Sequence, residues 1–405
     1  MSSPVNAAHD PAREARIVRV LAGLQFMHVL DFVLMMPLGP QLMRLFALTP
    51  RDFGLLVSVY MFAAAAAGIA ASAVADRFDR RRVLLALASG FMLAAVATAA
   101  AQTYAMLLAA HAFAGAFGGV LAAQVHAFLG DVVPEGRRGR ATGIVLSSFA
   151  LASVSGVPLG ILIADLGGSW RWPFAVLALG ALPLIAVAAR VLPPVTGHVA
   201  ARRADRLLAS YTRVLSVPNH WRAFVLNALA TFAGFTVIPY LAPFMVRNVG
   251  LRESQIALLY FFGGLATFFT SRWIGRQCDL HGKQRMFRIV ALASCVPLVL
   301  TTNLPPVPLI VAVCASVLFM TLVSGRFVPA MALINSAAEP QLRGGFLALT
   351  GAVQQATAGS AALVAGLILG TGPGGEITHY GRVGALAVCA TLLAVVWAPR
   401  VRARG

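Results

Sequence analysis

From residue 17 to residue 399 the chain alternates long apolar runs with short, arginine-rich polar turns. The runs fall at 17–43, 53–75, 83–101, 104–130, 141–166 and 173–192. They resume at 222–246, 255–275, 286–303, 307–335, 344–370 and 381–399. Each is close to the length of about 20 apolar residues that crosses a hydrocarbon core. A helix satisfies its own backbone hydrogen bonds there. The pattern therefore predicts an all-α integral membrane protein with twelve transmembrane helices. One longer polar stretch, 193–221, carries Pro193, Pro194, Arg202, Arg203, Asp205, Arg206 and Arg213 and reads as a linker with a short amphipathic helix. It divides the chain into 1–192, 193–221 and 222–405.

Composition sharpens this picture. Hydrophobic residues make up 59% and charged residues 11%, against roughly a quarter charged in ordinary soluble domains. A net charge of +18 would suit a nucleic-acid binder, but the basic residues occupy alternate loops. Placing the N-terminus in the cytoplasm leaves only Arg44, Arg51, Arg171, Arg247, Arg252 and Arg382 outside, as the positive-inside bias requires. Both termini are then cytoplasmic, and no nucleic-acid partner is expected. Arg13, Arg16 and Arg19 precede an apolar run too long for a signal-peptide core, so the first span is read as uncleaved. Cys278, Cys295, Cys314 and Cys389 lack C-x-x-C spacing and are expected to pack helices, with no metal or cofactor. Lys283 is the only lysine among 32 basic residues; with the alanine bias this suggests a GC-rich bacterial genome and thus a bacterial inner membrane.

The two halves repeat. Ser72 to Arg82 reads S-A-V-A-D-R-F-D-R-R-R, and Gly275 to Arg285 reads G-R-Q-C-D-L-H-G-K-Q-R; Asp76 and Asp279 stand 203 positions apart. Val133 to Gly139 aligns with Ala338 to Gly344 at a similar offset, and Pro37 and Pro40 echo Pro239 and Pro243. Parallel six-helix repeats around a central pathway produce such a pattern.

The paired loops resemble the G-x-x-x-D-[RK]-x-G-[RK]-x-[RK] motif of the major facilitator superfamily. The second copy departs at Leu280, and the first has Ser72 and Asp79 where glycines are usual. The resemblance covers nearly the whole chain and implies two six-helix bundles, usually monomeric, that transport a small molecule. Gly156, Pro158 and Gly160 in the fifth run resemble the glycine-proline motif of proton-coupled exporters. Trp170-Arg171-Trp172 with Phe174 is similar to many efflux members. Gly325-Arg326 through Pro329, Arg343-Gly344 and Gln354-Gln355 resemble sugar- and drug-efflux permeases of the arabinose-efflux type.

Asp31 is the sharpest candidate for chemistry. It sits mid-run, where an unpaired charge is costly and such residues mark proton or substrate sites. His28 is three residues away on the same helical face. The alternative role for Asp31 is a hydrogen bond that fixes helix packing. His111 stands where related exporters commonly place an arginine that takes part in coupling; histidine titrates near neutrality, so it either switches or simply ties two helices. An Asp31–His111 pair is one expectation. Arg326 either contacts an anion or polar group in the second half's cavity or bonds helix carbonyls. Gln25, Gln124 and Asn227 offer neutral hydrogen bonds to substrate or between helices. Asp76, Arg77, Arg80 and Arg81, with Gly275, Asp279, Gly282, Lys283 and Arg285, read as gating loops; Gly156, Pro158 and Gly160 read as a helix-bend motif. Met27, Met35, Met36, Met43 and the phenylalanines point to no substrate.

No H-E-x-x-H, G-x-S-x-G or Walker pattern is present, so neither an enzyme nor ATP coupling within the chain is expected. The expected function is export of a small molecule, a drug, sugar or related metabolite, in exchange for protons by alternating access. The alternatives are a proton-coupled importer and a non-transporting membrane receptor of the same fold.

Overall fold

A computed structural model describes residues 11–74, 77–196 and 205–402, with the side chains of all of these except 11, 72–74 and 205–210. Twelve helical segments are long and apolar enough to span a membrane. Spans 1 to 6 are Ala12–Leu34, Pro50–Ala71, Arg80–Ala100, Tyr104–Val132, Glu135–Leu166 and Arg171–Val191. Spans 7 to 12 are Pro218–Arg247, Glu253–His281, Lys283–Thr302, Leu309–Ser336, Pro340–Ile368 and Tyr380–Arg400. They form the two six-helix bundles expected. Side chains such as Leu93, Leu166, Leu179, Ile310 and Val396 point outward. In water that surface would be a liability, but against lipid it costs nothing.

Five features differ from the sequence expectations. Hydropathy places the first span at 17–43, whereas the helix stops at Leu34 and resumes as Gly39–Leu45. Pro37 and Pro40 cannot donate to the preceding turn. The seventh span breaks likewise, running Pro218–Phe235 and then Leu241–Arg247 around Pro239 and Pro243. Span 5 begins at Glu135, six residues before its apolar run, because hydropathy marks only the part immersed in hydrocarbon. Two short strands, β1 (Gly370–Thr371) and β2 (Ile377–Thr378), pair antiparallel in the loop before span 12. The Asn248 amide clamps Ile377 there, donating to its carbonyl and accepting from its N–H, both at 2.9 Å. Cys314 and Cys389 lie on outward faces, not in helix packing as expected.

The cores show how the bundles meet. At the end remote from the termini a single apolar cluster draws on both halves, joining Leu34, Leu42, Phe53 and Trp170 to Val237, Tyr240, Phe244 and Tyr380. At the terminal end the core is split: Ile17, Leu84, Phe128 and Val145 form one cluster, and Phe224, Phe287, Ile334 and Phe346 form another. Small residues make the joined end possible. A Cβ at Gly54 or Gly366 would collide with the Tyr240 hydroxyl. That hydroxyl donates to the carbonyls of Pro50, at 3.1 Å across the halves, and of Ala362, at 2.9 Å. Ser58 Oγ crosses the same seam to the Gly359 carbonyl at 2.7 Å. An ion pair between Arg44 and Glu253 closes the rim; being exposed, it is worth about 1 kcal/mol or less.

Tyr240→Phe keeps the ring but leaves two buried carbonyls short of a donor, a cost of about 1–3 kcal/mol. The expected result is a looser seal. With the four native cysteines replaced by alanine, a cysteine at Val57, buried in this cluster, should react faster with a membrane-impermeant maleimide in Tyr240→Phe. An unchanged rate would mean that the hydroxyl does not hold the seal.

Candidate functional site

In the first bundle four spans converge on Tyr60. It is buried at mid-span 2, and a 3.0 Å hydrogen bond joins its hydroxyl to His28 Nδ1 on span 1. Its ring lies 4.8 Å from that of His111 on span 4 and 5.2 Å from that of Phe32 on span 1. Phe91 of span 3 meets His28 edge-on at 6.2 Å. Span 4 passes this close because it is built from glycine. At Gly115 a Cβ would run into the Tyr60 backbone, and at Gly118 it would meet His28 Nδ1 at 2.6 Å and the Tyr60 hydroxyl at 2.8 Å.

Asp31 lies one helical turn from His28 and is 0% exposed. Neither of its carboxylate oxygens has a hydrogen-bond partner, and His111 Nδ1 has none either. Asp31 and His111 do not bond one another: His28 ties the helix of Asp31 to Tyr60, and His111 packs on the same tyrosine ring. A carboxyl group left like this in hydrocarbon is rare, because polar groups there normally find a partner.

Arg326 sits in the other bundle. Span 10 carries a π-helical segment, Met320–Ser324, just before it, and the guanidinium turns into the interior of its own half. It donates to Thr391 Oγ1 at 2.8 Å, to Ser294 Oγ at 3.2 Å and to the Ala230 carbonyl at 3.4 Å. Its Nε has no partner, and the three groups it donates to are all neutral. In this conformation its donors serve spans 7, 9 and 12.

The remaining sequence candidates disperse. Gln124 accepts from Arg80 near the terminal end, and Asn227 donates to the Thr350 carbonyl at 2.9 Å. Gln25 stays on span 1 with its Oε1 unbonded. Gly156 and Gly160 receive the side chains of Leu30 and Leu34, so the glycine-proline motif lets span 5 lie against span 1. Span 5 carries a π-helical turn, Ala152–Gly156, before Pro158; π turns are common where a helix must bend.

The loop residues tie helices within a bundle. Asp76 lies outside the described residues. Arg77 is exposed, Arg80 pairs with Asp131 of span 4, and Arg81 donates to the Ala189 carbonyl of span 6. Asp79, where the motif usually has glycine, caps span 3 by accepting from Arg81 N at 3.2 Å, and it also accepts from Val195 N at 2.8 Å. In the second copy, Gly282 takes φ +88°, the left-handed region that glycine enters freely. Asp279 and Arg285 are exposed and Lys283 is half-buried; none forms an ion pair among the described residues. Gly275 leaves the nearest atom 3.9 Å from a built Cβ, at Val328.

A family model described as Major Facilitator Superfamily matches residues 21–238, more than half of the 405. The chain belongs to that superfamily. It is 26% identical to the uncharacterized MFS-type transporter YtbD of Bacillus subtilis over 364 residues, 85% of each chain. A probable sugar efflux transporter of Pasteurella multocida is 25% identical over 65% of each chain. Among solved structures, a D-xylose-proton symporter superposes with a TM-score of 0.76 at 17% identity, covering 96% of this chain and 97% of that one. At that identity the likeness shows the fold alone. The protein is thus a superfamily transporter of small solutes, multi-pass in a membrane, and not an enzyme.

Tyr60, Ser58, Asp131 and Tyr240 were not picked out from the sequence. A tyrosine deep in an apolar run was the available signal, because a buried phenol seeks a partner. If the His28–Tyr60 bond depends on the gap at Gly118, then Gly118→Ala should cost about 1–3 kcal/mol. Gly130→Ala on the same span meets open space and should hold or raise stability, since alanine is the better helix former. Thermal midpoints of the purified proteins check this; equal midpoints would remove the steric argument.

Proposed function

We propose that this transporter exports a small molecule from the bacterial cytoplasm in exchange for protons, with Asp31 as the group where proton and cargo compete. The observation that supports this most is the fully buried, unpartnered Asp31 carboxyl beside Tyr60, His28 and His111. No cation stands ready there to balance a negative charge. An ionised residue at mid-span costs about 2.5–3.5 kcal/mol by insertion measurements. A proton, or a donor group on the cargo, must supply the missing partner.

With both termini cytoplasmic, the joined core faces outward and the split core faces inward, so this conformation takes cargo from the cytoplasm. Rocking of the bundles about a midplane site would break the Tyr240 seam and open the other side. A proton arriving there would replace the cargo on Asp31, and its later release inward would reset the cycle. The spans lack any nucleotide-binding motif, and protons serve as the coupling ion. The likeness to probable sugar efflux transporters supports export. The fold is equally compatible with a symporter, in which proton and solute travel together.

The test is accumulation of a broad panel of drugs, sugars and nucleobases in efflux-deficient bacteria, at matched membrane expression. Wild type should lower accumulation of its cargo, a protonophore should abolish the effect, and Asp31→Asn should lose it. Raised accumulation would make the protein an importer. A double-mutant cycle with His111→Gln should show coupling; independent effects would leave His111 a packing residue.

A further inference from the structure

Phe32 and Phe235 stand 203 positions apart in the sequence, the offset that also separates Asp76 from Asp279. They are therefore equivalent residues of the two repeats. The structure brings them together across the boundary between the bundles, with ring centroids 6.4 Å apart and planes tilted by 31°. Both are only partly buried. They pack on the small mid-membrane cluster of Tyr60, Met61, Phe91 and Ala358, which lies between the joined outer core and the two split inner cores. The pair is thus the last aromatic link between the halves before they part.

We infer that Phe32 and Phe235 form a ring-stacking clamp, and that the cargo is a largely apolar compound carrying a planar ring rather than a sugar. The inference rests on the reading that the space between the bundles is the transport site. A flat ring held between two parallel rings needs about 7–8 Å, twice the optimal carbon–carbon contact distance. With centroids 6.4 Å apart and planes tilted by 31°, the pair admits a guest once the rings align and part as the bundles rock. Phe32 also packs on Tyr60, with ring centroids 5.2 Å apart, on the span that carries the unpartnered Asp31 carboxyl.

A sugar has different needs. Its many hydroxyls lose water on binding and each requires a hydrogen bond in return. Several polar side chains suited to that work already bond within the protein: Arg326 to Ser294, Thr391 and Ala230, Gln124 to Arg80, and the Asn227 amide nitrogen to Thr350, with Arg326 Nε and Asn227 Oδ1 left over. Gln25, with its unbonded Oε1, and the half-buried Gln354 and Gln355 are enough for one or two polar groups on a ring.

Equilibrium dialysis of the purified transporter in lipid nanodiscs tests this without a proton gradient. Failure of coupled export would therefore leave this result standing, and the reverse also holds. The probes are ethidium, acridone and 2-naphthoate, which are planar and cationic, neutral and anionic, against arabinose and glucose. At least one planar probe should bind saturably and resist displacement by either sugar. Phe32→Leu and Phe235→Leu keep apolar bulk but lose the ring face, and each should weaken binding about tenfold; Phe32→Tyr should bind as wild type does. Should a leucine protein fail to fold, Phe32→Trp replaces it, and whichever planar probe binds wild type should quench its added emission. Saturable sugar binding that displaces the planar probe, leucine variants as tight as wild type, an unquenched tryptophan, or no planar probe bound would each overturn the inference.

Discussion

Hydrocarbon offers no hydrogen bonds, and that absence governs where this chain can place a polar atom. Each bundle answers by folding its polar side chains inward. In the first, His28 finds Tyr60; in the second, Arg326 finds Thr391, Ser294 and the Ala230 carbonyl. Helices come close enough for these bonds because the facing positions are small. Gly115 and Gly118 admit Tyr60 and His28, and Gly54 and Gly366 admit Tyr240. The glycine content of the spans and the polar clusters are therefore two sides of one constraint.

The seal between the bundles follows the same rule. Tyr240 spends its hydroxyl on Pro50 and Ala362 carbonyls, and Ser58 spends its hydroxyl on that of Gly359. These carbonyls belong to helix residues of spans 2 and 11, and a hydrogen bond to one contributes about 0.5–1.5 kcal/mol net. A seal of this kind can open at small cost. A leucine zipper of equal area would bind more firmly but would resist rocking. Arg44 and Glu253 add an exposed ion pair at the rim, which steers register more than it contributes strength.

Much of the fold could be read in advance because period and length are local signals. Twelve apolar runs gave twelve spans, and the repeated loops gave two bundles. What escaped was decided by position, not composition. The breaks after Leu34 and Phe235 follow from prolines whose effect on a membrane helix depends on neighbours that resupply the lost bonds. The β1–β2 pair exists because Asn248 reaches across from another loop. At the site, Asp31, His28 and His111 were legible because charged and titratable groups are rare in apolar runs. Tyr60 was not, since a tyrosine deep in such a run signals only that its hydroxyl needs a partner, not which helix supplies it. Arg326 was legible as an oddity, but the direction in which it points was not.

The two halves share a backbone repeat and differ in charge, and that difference has a mechanical meaning. The first bundle holds an acid without partners, while the second holds a guanidinium supplied with three neutral ones. A permanently charged group that is already solvated by its own bundle has little to gain from a proton or a cargo. An unpartnered acid has much to gain from either. The asymmetry puts the unpartnered acid in the first bundle and the bonded guanidinium in the second. Phe32 and Phe235 are the symmetric element retained at the boundary. A pair of rings separates or closes with no change of charge and no broken hydrogen bond.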